Sequence, residues 1–179
     1  MEVKAIWLRR LADISGMMAF FPLLSLISYV SELVGLTLAL HLYLTLTVAL
    51  ASIFLWKVRW PDPRRTTLSA LVMGLSAVLL IAALVPNTHS GMMSNLGTVA
   101  SMLVMGLYAH SVARVTGIRK LDRFGGLVVL GSFLIVIRES LIVLIALLLL
   151  SLGLGGISQY LRMVLALSKQ GGWKGASGG

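Results

Sequence analysis

The chain has no cysteine and few charged residues for its length. Without cysteine it can form no disulfide, thiolate metal site, cysteine nucleophile or thioether haem attachment. Only 12% of its 179 residues are charged, whereas a soluble domain carries about 25%. Hydrophobic residues make up 58% of the chain, and the mean hydropathy is +0.97. This composition excludes an ordinary soluble domain, because most of the surface cannot face water.

Motifs that carry catalytic chemistry are also missing. The sequence contains no Gly-x-Ser-x-Gly, and no glycine-rich phosphate loop follows a strand. His41, His89 and His110 are scattered and have no carboxylate at metal-ligand spacing. We therefore predict no catalytic residue, no metal site and no cofactor, and we keep a membrane enzyme only as a remote alternative.

Long apolar runs dominate what remains. A bilayer core about 30 Å thick requires about 20 mostly apolar residues in a helix, because lipid-exposed backbone must satisfy its own polar groups. The runs predict an all-α fold, a single bundle of six transmembrane helices over residues 1–168. The predicted helices cover about residues 14–30, 33–56, 68–85, 94–112, 124–137 and 140–161. The fifth run has only 14 residues, so a re-entrant hairpin is the alternative to a full span. Residues 169–179 are rich in glycine and predict a flexible cytoplasmic tail.

The basic residues predict how the bundle is oriented. Of the 15 Lys and Arg residues, 14 fall on one side of the six-helix arrangement, and only Arg138 falls on the other. Cytoplasmic loops collect Lys and Arg, so both termini are predicted to lie in the cytoplasm. The net charge of +9 therefore indicates contact with the lipid bilayer, not with nucleic acid, since no basic stripe with interleaved aromatic residues is present.

Polar residues on the first two predicted helices form a candidate ion site. Ser28 and Glu32 share a face of the first helix, and Thr37, His41 and Thr45 share a face of the second. His41 is predicted near the middle of the bilayer, where an ionisable group suggests function by default. A His41–Glu32 pair would relay protons or bind a cation. In the alternative interpretation, which we favour, Glu32 lies among the headgroups and neutral His41 bonds Thr37 or Thr45.

Small residues at four-residue spacing predict close helix packing. The candidate packing residues form three pairs, which are Ala70 and Gly74, Gly97 and Ser101, and Ser151 and Gly155. Arg138 and Glu139 form a candidate charge pair at the outer turn, where a solvated turn is the simpler interpretation.

Both ends of the chain carry short motifs in predicted helical hairpins. In the last third, Thr116-Gly117, Leu121, Gly126 and Gly131 lead into a hairpin, and the first hairpin has Pro22 and a nearly loopless turn from Tyr29 to Gly35. With these motifs the chain resembles an archaeal family of small membrane proteins of unknown function (domain of unknown function 996). The chain departs from the family at Glu32 and Arg138-Glu139, where milder turn residues are expected. The resemblance implies a polytopic archaeal membrane protein and supplies no activity.

Three functions follow as hypotheses. The first is a non-enzymatic accessory or structural subunit, in a larger membrane assembly or a homo-oligomer. It would lie in the cell membrane of a prokaryote, and the resemblance implies an archaeal one. Short loops, missing cofactor ligands and many small-residue faces favour it. The second is a small ion or solute transporter or channel that uses a polar cavity around Glu32 and His41. The third is the membrane enzyme.

Overall fold

The protein is entirely helical in the part of the chain that the computed structural model describes. These are residues 2–31, 34–85, 88–137 and 139–169, with side chains for residues 5–25, 27, 38–85, 88–137 and 139–167. The six helices are α1 (Glu2–Ser31), α2 (Val34–Val58), α3 (Pro63–Ala82), α4 (Ser90–Thr116), α5 (Arg119–Leu134) and α6 (Ser140–Lys169). The predicted all-α class and the number of helices are confirmed.

The helix ends differ from those that the apolar runs suggest. α1 begins at Glu2, whereas its apolar run begins near residue 14, and α6 continues to Lys169, beyond residue 161. The apolar runs mark the part of each helix that suits lipid, but a helix continues into polar sequence wherever its backbone bonds and side-chain packing continue. Lys169, which we placed in the flexible tail, therefore belongs to α6, and residues 170–179 lie outside the described residues.

Two short links show clear end signals. Asp62 caps α3, because its Oδ1 accepts the backbone N–H of Arg64 at 2.9 Å, and Pro63 occupies the first helical position. α4 ends at Gly117, which adopts a left-handed φ of 70° and donates its N–H to the Ala113 carbonyl at 2.8 Å. Only Gly117 and Ile118 separate α4 from α5, so most of residues 113–123, which lie between our predicted fourth and fifth helices, are helical.

The helices form a closed ring in which each packs along its neighbour in the sequence, and α6 packs along α1. Neighbours run antiparallel. Along the α1–α6 contact, for example, Ser151 bonds to Ala19 and Ser158 bonds to Ala12. The space between the helices is filled by apolar side chains, of which Leu11, Met73, Met105 and Leu154 are fully buried. α5 is one uninterrupted helix that packs on both α4 and α6.

The outer wall of the ring is apolar. Large side chains are more than half exposed on every helix, among them Phe20, Leu46, Leu75, Leu107, Phe133 and Leu152. Four helices are long and apolar enough to cross a membrane, judged over residues with described side chains: Leu38–Val58, Pro63–Ala82, Ser90–Thr116 and Ser140–Leu167. An apolar wall around an apolar core indicates a membrane protein.

Basic residues gather at one end of the ring. The start of α1 meets the end of α2 where the rings of Trp7 and Phe54 lie 5.8 Å apart. At the same end, Arg162 of α6 donates to Asp13 of α1 at 2.8 Å. Because neighbouring helices are antiparallel, this end also carries the basic residues of the α2–α3 and α4–α5 links.

Candidate functional site

The best candidate site lies on the outside of the ring, between α4 and α5. The left-handed Gly117 ends α4, and the two-residue link returns the chain at once as an antiparallel α5. Residues at similar distances from this link therefore face one another across the α4–α5 contact. The sequence places glycines and two titratable side chains at these positions.

Two glycines let the backbones of α4 and α5 touch. A Cβ atom built on Gly125 would lie 2.8 Å from the carbonyl oxygen of Gly106, and one on Gly106 would lie 2.9 Å from the carbonyl oxygen of Gly125. Such distances leave no room for a side chain on either residue. The helices cross most closely here, as small residues allow at membrane helix contacts.

One turn away from this crossing, a histidine pairs with an aspartate. The ring Nδ1 of His110 donates to Oδ1 of Asp122. The two side chains are 41% and 47% exposed, so the pair is accessible from outside the helix contact. Because the carboxylate accepts at Nδ1, the other ring nitrogen, Nε2, is left to meet a ligand or a partner.

The pair sits in an apolar groove of about 480 Å³. Leu107, Leu130 and Phe133 form its walls and are themselves exposed to the outside of the ring. Gly126 forms part of the groove, and a Cβ atom built on it meets no neighbour within 4 Å. The groove therefore combines an apolar surface, open space and one hydrogen-bonding pair.

The side chains that line the groove offer hydrogen-bonding groups and apolar contacts. None of the residues that line it is a serine, threonine or lysine that could act as a nucleophile beside His110. No group of three or more potential metal ligands occurs among the described residues. His110 and Asp122 can therefore hold a hydrogen-bonding group of a neighbour, and the apolar walls can hold the rest of it.

The structure places His41 in a different role from the predicted ion pair. Its Nε2 donates to the carbonyl of Leu80 at 2.9 Å, and its Nδ1 lies 3.3 Å from the hydroxyl of Ser94. The amide of Leu84, which would normally serve the Leu80 carbonyl, bonds to Ile81 instead. His41 thus caps the end of α3 and joins it to α2 and α4.

The other members of the candidate ion site are only partly visible. Thr45 is buried and donates to the backbone carbonyl of His41 at 2.8 Å, which helps to fix that turn of α2. Ser28 and Thr37 lie in α1 and α2, but their side chains, and all of Glu32, lie outside the described residues. The His41–Glu32 pair therefore stays a prediction.

The candidate packing residues lie at or near helix contacts. A Cβ atom on Gly74 would lie 3.1 Å from the Ser52 hydroxyl, and one on Gly97 would lie 2.9 Å from the carbonyl of Ser76. Ser101 is fully buried and donates to the Thr98 carbonyl of its own helix.

On α6, Ser151 donates across the helix contact to the Ala19 carbonyl at 3.0 Å. Gly155 faces the same α1 residue, because a Cβ atom on it would lie 4.0 Å from the Cβ of Ala19. Of the outer-turn charges, Glu139 is exposed and Arg138 lies outside the described residues.

Sequence reasoning missed two features. The first is the His110–Asp122 pair, which the spacing of both residues from the Gly117 turn would have suggested. The second is the α1–α6 contact, which we name the serine seam. Here Ser15 donates to Leu154, Ser151 to Ala19 and Ser158 to Ala12, each across the contact to a backbone carbonyl. These serines are far from their partners in sequence, and no local pattern pairs them.

Comparison of the chain with protein-family models, with curated proteins and with solved structures finds no match. Membership of the archaeal family that the two ends resemble stays a prediction.

Proposed function

We propose that this protein is a non-enzymatic multi-pass subunit of a larger membrane assembly in the cell membrane of a prokaryote. The resemblance at the two ends of the chain supports an archaeal source. All six helices cross the bilayer, and both ends of the bundle's chain lie in the cytoplasm. The exposed Phe20, Leu23 and Ile27 on α1 support a span there, as do Leu130 and Phe133 for α5. α5 is about 24 Å long, and Arg119 and Arg123 extend its reach toward the interface by snorkelling.

One observation supports the subunit role above the others: the site with open space and a hydrogen-bonding pair is on the outer wall. Inside the ring, polar side chains are used for helix contacts, as in the serine seam and in the His41 cap. On the outside, the α4–α5 groove offers Gly126 and the His110–Asp122 pair to a neighbour. The occupant that fits is a transmembrane helix of another subunit, with small or apolar side chains along the groove and a polar group at His110.

Transport is not favoured by the geometry around His41. Both ring nitrogens of His41 contact protein atoms, so a path through this residue would have to break the bonds to Leu80 and Ser94. The His41–Glu32 hypothesis would regain support if the protein purified alone and carried an ion or solute flux that His41→Ala abolished.

The subunit role is tested by replacing the open glycine in the groove. We expect the tagged protein, extracted from its native membrane in mild detergent, to bring a partner in fixed stoichiometry. Gly126→Leu fills the groove without meeting a neighbour at Cβ, and it should release that partner. Gly91→Leu is the matched control, because Gly91 is also exposed in a helix with open space around it, but lies outside the groove. A protein that purifies alone, or a Gly126→Leu variant that keeps its partner, would contradict the proposal.

The orientation is tested with single cysteines, since the native chain has none to interfere. Lys57→Cys and Arg119→Cys are expected to react only from the cytoplasmic side, and Thr88→Cys only from outside. All three positions are exposed. Labelling of Lys57→Cys and Arg119→Cys from opposite sides would rule out the six-span arrangement.

A further inference from the structure

A second groove lies on the outer wall between α2 and α3, at the basic end of the ring. It has a volume of about 550 Å³. Its lining includes the exposed apolar side chains of Ile53, Leu71, Leu75 and Val78. The hydroxyl of Ser52, which also lines it, donates to the Ala70 carbonyl at 2.8 Å and is therefore already used. The body of this groove suits an alkyl chain.

Trp56 closes the groove at the basic end and carries a cation. The guanidinium carbon of Arg59 lies 5.2 Å from the centroid of the Trp56 ring, and Nε of Arg59 donates to the Trp56 carbonyl at 3.2 Å. Arg59 adopts a left-handed φ of 46°, a conformation that usually belongs to glycine at the end of a helix. This strained backbone holds the guanidinium of Arg59 over Trp56, the residue that lines the mouth of the groove.

The charge at the mouth is not neutralised by the loop around it. Asp62 is the acid of this loop, and its Oδ1 accepts the backbone N–H groups of Arg64 and Arg65. Its Oδ2 lies 3.4 Å from Nε of Arg65. Lys57, Arg59 and Arg64 form no ion pair with any carboxylate in the described part of the chain, so the mouth keeps an excess of positive charge.

We propose that this groove binds one anionic phospholipid, with an acyl chain along Leu71, Leu75 and Val78 and the phosphate at Arg59. The apolar body requires a hydrocarbon chain, and the cationic mouth requires an anion. Trp56 lies between the two, at the depth where amphipathic rings meet lipid headgroups. This inference shares with the proposed function only the position of the bundle in a bilayer, and the partner groove between α4 and α5 plays no part in it.

The test is native mass spectrometry of the purified protein with added lipid. The probes are phosphatidylglycerol, phosphatidylcholine with the same chains, and glycerol phosphate as a headgroup without chains. The wild type is expected to retain phosphatidylglycerol in preference to phosphatidylcholine and not to bind glycerol phosphate. Arg59→Gly should lower phosphatidylglycerol retention about fivefold, the effect of one basic residue near an anionic headgroup. Glycine suits the left-handed position, so this variant is expected to fold.

Arg114→Gln is the matched control, because it removes one exposed positive charge from the same end of the ring but away from this groove. Equal retention of the two lipids by the wild type would overturn the proposal. So would an equal loss from Arg59→Gly and Arg114→Gln, which would indicate general attraction between charges, or no loss from Arg59→Gly.

Displacement of the lipid by glycerol phosphate would indicate a phosphate site without a chain groove. Loss of a co-purifying protein, instead of lipid, from Arg59→Gly would identify a protein partner here. We expect Arg59→Gly to keep the protein partner that Gly126→Leu releases. The two variants therefore test the lipid groove and the partner groove separately.

Discussion

The contact between α4 and α5 predicts opposite effects for the same substitution at two adjacent residues. Gly125 faces the backbone of α4, and Gly126 faces the open groove. Alanine at either position adds one methyl group to the middle of the same helix. The gain from better helix propensity, about 1 kcal/mol, is therefore nearly equal in the two variants and cancels when they are compared.

The difference between them measures the crossing itself. In Gly125→Ala the new Cβ would begin 2.8 Å from the Gly106 carbonyl oxygen, and the backbones must separate by about 0.6 Å to reach 3.4 Å, the start of ordinary contact. Backbone atoms cannot yield as a side-chain tip can. Overpacking of this kind costs about 1–3 kcal/mol. We expect Gly126→Ala to raise the free energy of unfolding by up to about 1 kcal/mol above that of the wild type. The free energy of unfolding of Gly126→Ala should exceed that of Gly125→Ala by about 1–3 kcal/mol.

The assay is reversible unfolding in mixed micelles, with the denaturing detergent fraction varied and the helix signal followed for both variants and the wild type. The separation of helices in Gly125→Ala should also disturb the His110–Asp122 pair one turn away, which the imidazole NMR signals would report. Unfolding free energies that agree within about 0.5 kcal/mol would refute the reasoning, because a clash of this size lies well above the spread of ordinary surface substitutions.

Two further substitutions test buried polar groups by the same assay. Tyr108 is 2% exposed, and among the described residues its hydroxyl is the buried side-chain polar atom without a hydrogen-bond partner; Tyr108→Phe should leave the free energy of unfolding unchanged or raise it by about 1 kcal/mol. A lower free energy of unfolding in Tyr108→Phe than in the wild type would show that the hydroxyl has a partner. His41→Ala leaves the Leu80 carbonyl without its donor and should cost about 1–3 kcal/mol, more than Leu42→Ala on the exposed face of the same helix. Equal losses from these two variants would contradict the capping role.

The sequence predicts the number of helices well, because each apolar run is both a helix and a unit of lipid-compatible surface. It predicts their ends poorly for the same reason. Residues 2–13 contain Arg9, Arg10 and Asp13, which do not suit lipid, yet they continue α1 because Leu8, Leu11 and Ala12 are buried in the helix contacts. Hydropathy reports what surrounds a helix, whereas its end depends on backbone bonds and packing.

The candidate site was less predictable because it depends on which helices are neighbours. His41 stood out as a polar residue within an apolar run, but its partner, the Leu80 carbonyl, is a backbone atom that no side-chain pattern marks. His110 and Asp122 are 12 residues apart, too far for a pair within one helix, and they meet only because the Gly117 turn reverses the chain. Pairing across a tight turn is open to prediction from sequence, whereas pairing to a distant backbone carbonyl is not.

The serine seam has a consequence for biosynthesis. Its hydrogen bonds join residues 132 to 146 positions apart, for example Ser158 to Ala12. At roughly 5–20 residues per second of synthesis, α1 is made about 7–30 s before these partners on α6. Ser15 in particular has no permanent acceptor until the ribosome has delivered Leu154. Of the six helices described, the first to be synthesised is thus among the last to be locked in place, and in the proposed six-span arrangement this exposes its face to insertion factors and to premature pairing with other chains.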